Sequence, residues 1–173
     1  TNFLVNDFDW SSNKWLNIFG FESYFKGKVK TVNYEAKNTS EYKNDTTNSE
    51  LKSALGYFTK LGLYKSDPNN KIFHTFTPKF LLRYAPGSMR NVESGKLNYE
   101  NLFSLNKINE LDIIENGLST SIGFEYKKNK LDKQNIVGKE IFSLSAGQVI
   151  SEEENEHNPS STSLDQRFSD IVG

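Results

Sequence analysis

The densest cluster of ionisable side chains in the sequence is an acidic stretch that ends in a histidine. Glu152, Glu153, Glu154 and His157 fall within six residues, and several carboxylates close together favour a hard cation such as Ca²⁺. No Asp-x-Asp spacing or loop glycine of the known cation motifs accompanies them. The favoured interpretation is therefore a solvated loop, with a cation site as the minor alternative.

Three lysines alternate along a second stretch. Lys26, Lys28 and Lys30 would point to one side of an extended chain, where their ammonium groups could meet phosphates. Two of them belong to Phe25-Lys26-Gly27-Lys28, which we interpret as a short hairpin turn. A charged turn rim is therefore favoured over a phosphate site.

Catalytic chemistry has little support in the sequence. The 173 residues contain two histidines, His74 and His157, and no cysteine, so this stretch has no thiolate nucleophile and no Cys-based zinc site. No Gly-x-Ser-x-Gly or other nucleophile motif is present. A formal net charge of −1 gives no electrostatic bias toward nucleic acid. We predict a protein that is not an enzyme and has no cofactor or metal.

The element that positions these side chains is clearest between residues 114 and 127, which alternate with a period of two. Apolar and aromatic residues occupy one parity, and glycine, serine and glutamate occupy most of the other. Successive side chains of a strand point to opposite faces, whereas a helix would scatter these apolar residues around its axis. The stretch is therefore predicted to be a strand with one apolar face and one face of small and acidic residues.

The small-residue face indicates the class of protein. A strand on a compact soluble core shows Lys, Glu and Thr to water opposite its apolar face. Glycine and serine that alternate with aliphatic and aromatic residues are more typical of an outer-membrane barrel strand, which needs roughly 9–11 residues to cross. The 13 Phe and 8 Tyr, with a single Met, also suit strands.

Similar patterns recur along the chain. They predict an all-β, antiparallel up-and-down meander of about seven strands, part of a large outer-membrane β-barrel, at residues 3–10, 15–26, 29–37, 51–64, 72–84, 114–127 and 138–150. Pro78 lacks an N–H and should mark a bulge, a bend or an unpaired position. From the turn at 25–28 onward, short and long connections alternate, as they do at the two rims of an outer-membrane barrel. We expect residues 1–173 to be one partial barrel domain, an internal fragment.

Parity assigns the two faces of the last two strands. The predicted lipid-facing residues are Ile114, Leu118, Ile122, Phe124, Tyr126, Phe142, Leu144 and Ile150. The predicted lumen-facing residues are Gly117, Ser119, Ser121, Gly123, Ser143, Ser145 and Gly147.

Segments that cover nearly the whole chain are similar to one known family. They are KWLNIFGFESYFKGKVKTVNYEAKN (14–38), TPKFLLRYAPGSMRN (77–91), LFSLNKINELDIIENGLSTSIGFEYK (102–127), FSLSAGQVI (142–150) and SLDQRFSDIVG (163–173). They resemble the C-terminal barrel region of the LPS-assembly outer-membrane protein family LptD, also called OstA, particularly its alphaproteobacterial members. The most specific matching residues are Asn106, Asp112, Glu115, Gly147 and Gln148. Lys107 stands where the family usually has arginine, and Glu110 replaces a common glycine or serine.

The resemblance implies a very wide barrel in the Gram-negative outer membrane. Such a barrel receives lipopolysaccharide (LPS) from a periplasmic bridge, holds an LptE-like lipoprotein plug, and releases LPS sideways into the outer leaflet. The family's periplasmic jelly roll and lateral exit match no part of this sequence, so no gate residue is assigned. Two alternatives stay open: a soluble lipocalin-like or β-sandwich binding protein, and a general porin or receptor barrel.

Overall fold

The computed structural model describes residues 2–37, 47–108, 110–132 and 136–173. Within them the chain forms one sheet in which all neighbouring strands are antiparallel. The strands are β1 (Asn2–Ser11), β2 (Trp15–Leu16), β3 (Phe21–Glu35), β4 (Thr47–Leu61), β5 (Leu63–Asp67), β6 (Ile72–Ala85), β7 (Gly117–Leu131) and β8 (Val137–Ser151). One turn of 3₁₀ helix follows at Ser160–Thr162. These residues include no helix long and apolar enough to cross a membrane. The predicted all-β antiparallel meander is confirmed.

The eight strands make six passes, ordered β1, β3, β4, β6, β7 and β8. Short β2 pairs with β3 beyond the end of β1, and β5 continues the line of β4 along β6. The pairing of β6 with that line stops at Lys79 and resumes at Phe76. Pro78 lies in this gap, because its ring nitrogen has no hydrogen to donate to the ladder. The predicted irregularity at Pro78 is therefore present.

β3 is one continuous strand, so the predicted turn at 25–28 is wrong. Gly27 lies in the middle of β3, opposite Trp10 of β1. A Cβ atom at Gly27 would overlap the Trp10 indole, so this glycine makes room for an aromatic ring and does not form a turn. The strands predicted at 15–26 and 29–37 accordingly merge into β3, with short β2 ahead of it.

β7 begins three residues later than the sequence pattern suggests. Its first residue, Gly117, has a φ of +99°, a left-handed conformation that interrupts the alternation before it. Ile114 therefore lies ahead of the strand, is 3% exposed, and belongs to a buried cluster with Leu81 and Leu105. The prediction that Ile114 faces lipid is wrong.

The connections divide between a short-loop end and a long-loop end of the sheet. At the short-loop end the chain passes from β1 to β3 through residues 12–20, which include β2, from β5 to β6 through 68–71, and from β7 to β8. At the long-loop end it passes from β3 to β4 and from β6 to β7, and residues 152–173 follow β8. The alternation is sharper than the sequence suggested, because the false turn at 25–28 no longer interrupts it. The loop predicted at 38–50 lies outside the described residues as far as 46, and residues 47–50 belong to β4.

Residues 86–116, here called the insert, fold onto one face of the sheet, which curls into a half-barrel. The insert reaches β3 at Lys26 and Lys30 and reaches β8 at Gly147. Because one segment touches passes that lie four positions apart, this face is the concave one. The main clusters of buried apolar residues lie between the sheet, the insert and the C-terminal segment 152–173.

Candidate functional site: the concave face and its insert

Charged side chains line the concave face of the first four passes. The strand register places Lys26, Lys28 and Lys30 of β3 on this face, so they are mid-strand and not on the turn rim that the sequence favoured. Lys28 Nζ lies 2.8 Å from Asp7 Oδ1 and 2.8 Å from Asp9 Oδ2. Further charged residues that share the face are Glu22, Glu50, Lys52, Lys60, Lys79 and Arg83.

Two of these lysines hold the insert by its backbone. Lys30 Nζ donates to the carbonyl oxygens of Glu110 and Leu111 at 2.9 and 2.8 Å. Lys26 Nζ donates to the carbonyl oxygen of Phe103 at 3.1 Å. Backbone carbonyls that lie away from water need a partner, and here an ammonium group serves in place of a neighbouring strand. The insert can therefore dock on the sheet without becoming part of it.

A buried ion pair between Arg83 and Glu115 forms the centre of the site. The two side chains are 2% and 6% exposed, and Arg83 Nη2 lies 3.2 Å from Glu115 Oε2. Arg83 also donates to the carbonyl oxygen of Leu105 at 2.7 Å and to that of Glu115. Glu115 Oε1 accepts the backbone N–H groups of Lys107 and Ile108 at 2.6 and 3.0 Å. One arginine of β6 thus fixes both sides of the turn 105–115.

A second arginine, Arg90, ties the insert to β4. Its guanidinium donates to both carboxylate oxygens of Glu50, at 2.7 and 2.8 Å, and to Asp112 Oδ2 at 2.5 Å. The same group lies over the ring of Tyr34 on β3, 5.7 Å from its centroid. Bidentate arginine–carboxylate contacts fix geometry as well as charge, so the beginning and the end of the insert are held to one point of the wall.

The small residues of β7 and β8 make room for apolar side chains of the insert. Gly123 and Gly147 face each other across the two strands. A Cβ atom at Gly147 would lie 2.7 Å from the Ile122 carbonyl oxygen and would overlap a methyl group of Leu102; one at Gly123 would lie 3.2 Å from the Phe103 ring. The small-residue face is therefore a seat for this chain's own insert.

All seven residues predicted to face a lumen lie on the concave face by register. Ser119 and Ser121 are buried at 8% and 1% exposure in the part covered by the insert. Ser143 and Ser145 lie nearer the short-loop end, where Ser143 is exposed and Ser145 is half-buried. On β8, the face is therefore more open toward the short-loop end.

The convex face is apolar, and no other described segment covers it. Leu118, Ile122 and Leu144 are 36%, 41% and 49% exposed. The other predicted lipid-facing residues that share this face by register are Phe124, Tyr126, Phe142 and Ile150. Aromatic pairs on the same face are Trp15–Phe25, Phe25–Tyr57, Phe76–Phe124 and Tyr126–Phe142, with ring centroids 5.5, 5.5, 5.5 and 6.1 Å apart. They lie on the half of the sheet nearer the short-loop end.

A family model described as LptD, LPS transport system D, matches residues 10–173. The chain belongs to the LptD family. A search of curated proteins finds no match. Membership places the chain in the LPS transport machinery, whose members are transport components that act on LPS. The resemblance drawn from the sequence is confirmed.

The LptD-like residues of the insert all make contacts within the site. Asn106 donates to the carbonyl oxygen of Ile113 at 3.1 Å, Asp112 binds Arg90, and Glu115 binds Arg83. Sequence reasoning did not identify the two arginines. A signal was present for Arg83, because it is the one charged residue in the apolar stretch 80–85 of a predicted strand.

Lys107 is also buried in the site. Its residue is 2% exposed, and burial, reinforced by the charge of Arg83 and opposed by Glu115, lowers the pKa of Lys107 to about 7. Among the described residues, the ammonium group has no hydrogen-bond acceptor and no ion-pair partner. Lys107 is the one cation of the insert's interior that is not used for docking.

The acidic stretch and His157 share a cavity with the Arg83–Glu115 pair, whereas His74 lies apart from it. Glu152, Glu153, Glu154 and His157 line the mouth of a cavity at the long-loop end, and in the described parts of the chain no three His, Cys, Asp or Glu residues come together as metal ligands would. His74 lies near the short-loop end, with its Nδ1 2.8 Å from Tyr126 Oη. Neither histidine is placed for catalysis with the groups described above.

Proposed function

We propose that this chain is part of the wall of an outer-membrane β-barrel that delivers LPS to the outer leaflet. The observation that carries the proposal is the contrast between the two faces: the convex face is apolar and bare, whereas the concave face is charged and partly filled. A lipid-facing wall needs this arrangement, because acyl chains cannot solvate charged groups while a wide lumen can. The family membership of the chain supplies the substrate.

The exposed apolar surface argues against the soluble alternative. Large side chains at least 40% exposed occur on all six passes, and a monomeric soluble protein rarely shows a contiguous apolar patch of more than a few hundred Å². Examples on successive passes are Leu4, Phe8, Phe25, Leu51, Leu55, Leu82, Tyr84, Ile122 and Leu144. A lipocalin-like protein would instead turn its apolar parity inward to fill a closed core.

Strand length and loop length give the orientation. The passes β3, β4, β6, β7 and β8 are 14 or 15 residues long, which exceeds the roughly 9–11 residues that a tilted strand needs to cross. Aromatic rings favour the membrane–water interface, so the aromatic pairs at the short-loop end mark one boundary of the bilayer. Short turns of such barrels are periplasmic and long loops are extracellular, which supports an orientation with the insert at the outward end of the lumen.

The open part of the concave face supports the expected partners. The insert fills the outward half, whereas near the short-loop end Ser143 is exposed and Ser145 is half-buried. We propose that this lower half accommodates an LptE-like plug lipoprotein and the saccharide of LPS arriving from a periplasmic bridge. The chain would supply a part of the wall, because β1 and β8, the first and last passes, do not pair with each other in the described residues, and β8 instead bridges to Phe168 and Val172 of the C-terminal segment.

Tryptophan substitutions on one strand test this proposal. In the full-length protein, Ser143→Trp and Ser145→Trp should leave barrel assembly intact but reduce plug co-purification and LPS display, seen as sensitivity to large hydrophobic antibiotics. Leu144→Trp, on the opposite face of the same strand, is the matched control and should change neither. Wild-type behaviour of both serine variants, or equal damage by Leu144→Trp, would contradict the proposal. The positions Ser119 and Ser121 are unsuitable, since tryptophan there would displace the insert.

A further inference from the structure

A cavity of about 350 Å³ opens at the long-loop end, between the insert and the C-terminal segment. Its volume is within the range of roughly 300–1,000 Å³ that is usual for small-molecule sites. The buried residues of its lining, here called the floor, are Arg83, Lys107, Glu115, Ser119, Val149 and Leu164. Its exposed rim is acidic and polar and includes Glu152, Glu153, Glu154, Glu156 and His157.

The floor offers one unsatisfied cation. The charge of Arg83 is taken up by Glu115, 3.2 Å away, and by two backbone carbonyls. Lys107 has no such partner among the described residues, although it is 2% exposed. A buried charge without a partner is costly, and the lowered pKa of Lys107 expresses that cost. An anion in the cavity would remove it.

The side chains of the rim indicate which chemical groups the rest of the ligand carries. Glu152, Glu153 and Glu154 repel any anion at the entrance, a sugar phosphate as much as inorganic phosphate. Their carboxylates accept hydrogen bonds from hydroxyl groups, so hydroxyls on the same ligand offset this repulsion. Asn155, whose amide donates to Asn116 Oδ1 at 2.8 Å, holds the rim to the start of β7. A ligand that carries its negative charge at one end and hydroxyls at the other fits both parts of the cavity.

We propose that this cavity binds a phosphorylated sugar, with the phosphate on the Lys107 ammonium and the sugar hydroxyls on the carboxylates of residues 152–154. Two sources carry this chemistry, the saccharide of LPS and a free sugar phosphate. The first source rests on the proposed function, whereas the site itself does not.

Direct binding to the full-length protein in nanodiscs tests the site. Equilibrium dialysis with labelled glucose 6-phosphate should show saturable binding, while glucose and inorganic phosphate should each bind at least tenfold more weakly. Lys107→Met should weaken glucose 6-phosphate binding at least tenfold, and the matched control Lys130→Met, an exposed lysine at the short-loop end, should not. Absence of saturable binding, or unchanged binding in Lys107→Met, overturns the proposal. Intact sugar phosphate binding by a protein whose depletion leaves LPS display at the wild-type level would instead count against the proposed function.

A chemical label keeps the test valid if Lys107→Met disturbs the insert. Pyridoxal 5′-phosphate carries a phosphate and an aldehyde; the Lys107 amine adds to the aldehyde with loss of water, and borohydride reduces the resulting imine to a stable secondary amine. Labelling of the peptide that contains Lys107 should be suppressed by glucose 6-phosphate, whereas labelling of Lys130 should not. Lack of protection at Lys107 contradicts the proposal. If purified LPS protects Lys107 from labelling, the ligand is the saccharide of LPS. If glucose 6-phosphate protects Lys107 but LPS does not, the ligand is a free sugar phosphate.

Discussion

Removal of the Arg83 charge should release the insert from the concave face while leaving the sheet folded. In Arg83→Met the Glu115 carboxylate keeps its two backbone N–H donors, from Lys107 and Ile108, but loses its arginine. Removal of one partner of a buried ion pair costs about 3–5 kcal/mol of stability. The nearby Lys107 ammonium offsets part of this, so we expect about 3 kcal/mol, which raises the population of the undocked insert by about 150-fold.

Hydrogen exchange measures this release at the amides concerned. The Lys107 and Ile108 N–H groups both donate to Glu115 Oε1. Their hydrogen exchange in Arg83→Met should therefore accelerate about 150-fold, the factor that corresponds to a loss of about 3 kcal/mol of docking free energy. The double variant Arg83→Met/Glu115→Gln removes both charges and should recover at least half of the loss. Lys127→Met is the matched control, because Lys127 also lies on the concave face but is 48% exposed and pairs with Glu140 at 3.7 Å. Unchanged exchange at residues 107 and 108, or an equal rise across β6 and β7, would refute the reasoning.

Three further predictions concern the insert and the two faces. The pKa of Lys107 falls from 10.5 to about 7 on docking, so the docked state holds fewer protons than the undocked state. Docking should therefore strengthen as pH rises from about 7 toward 10.5, by at most a factor of about ten per pH unit. Limited proteolysis of the insert should show this pH dependence in the wild type and lose it in Lys107→Met. Gly147→Ala places a methyl group 2.7 Å from the Ile122 carbonyl oxygen and should cost about 1–3 kcal/mol in urea unfolding from lipid, whereas Ser143→Ala on the same face should be nearly neutral. Ile122→Arg, 41% exposed on the convex face, should cost roughly 2–4 kcal/mol in the same assay, and Ser143→Arg on the concave face should cost little; equal costs would indicate that neither face contacts acyl chains.

Alternation predicted the faces of β7 and β8 because a strand's period of two survives wherever the backbone stays extended. Parity alone puts Gly123 and Gly147 on one face and Tyr126 and Leu144 on the other, as the register has them; the register itself does not follow from parity. The prediction failed at Ile114, where the positive φ of Gly117 resets the parity and sequence gives no sign of it. It also failed at Gly27, because the sequence does not distinguish a glycine that makes room for a tryptophan of another strand from a glycine in a turn.

The insert could not be predicted for a different physical reason. Its backbone is held by side chains of distant strands, such as Lys30 at residues 110 and 111, and contacts of that kind leave no period in the insert's own sequence. The small residues of β7 and β8 were recognised, but their role was assigned to an open lumen. In the structure Leu102 and Phe103 occupy much of that space.

The assignment of the convex face to lipid is tested most directly by a pair of adjacent labels on β8. The chain has no cysteine of its own, so Leu144→Cys and Ser143→Cys can each carry one environment-sensitive fluorophore in the full-length protein reconstituted in bilayers. Leu144 is 49% exposed on the convex face, and Ser143 is exposed on the concave face. Lipids spin-labelled at mid-chain should quench the fluorophore at position 144 strongly and the one at 143 weakly. Equal quenching at the two positions, or stronger quenching at 143, would contradict the account.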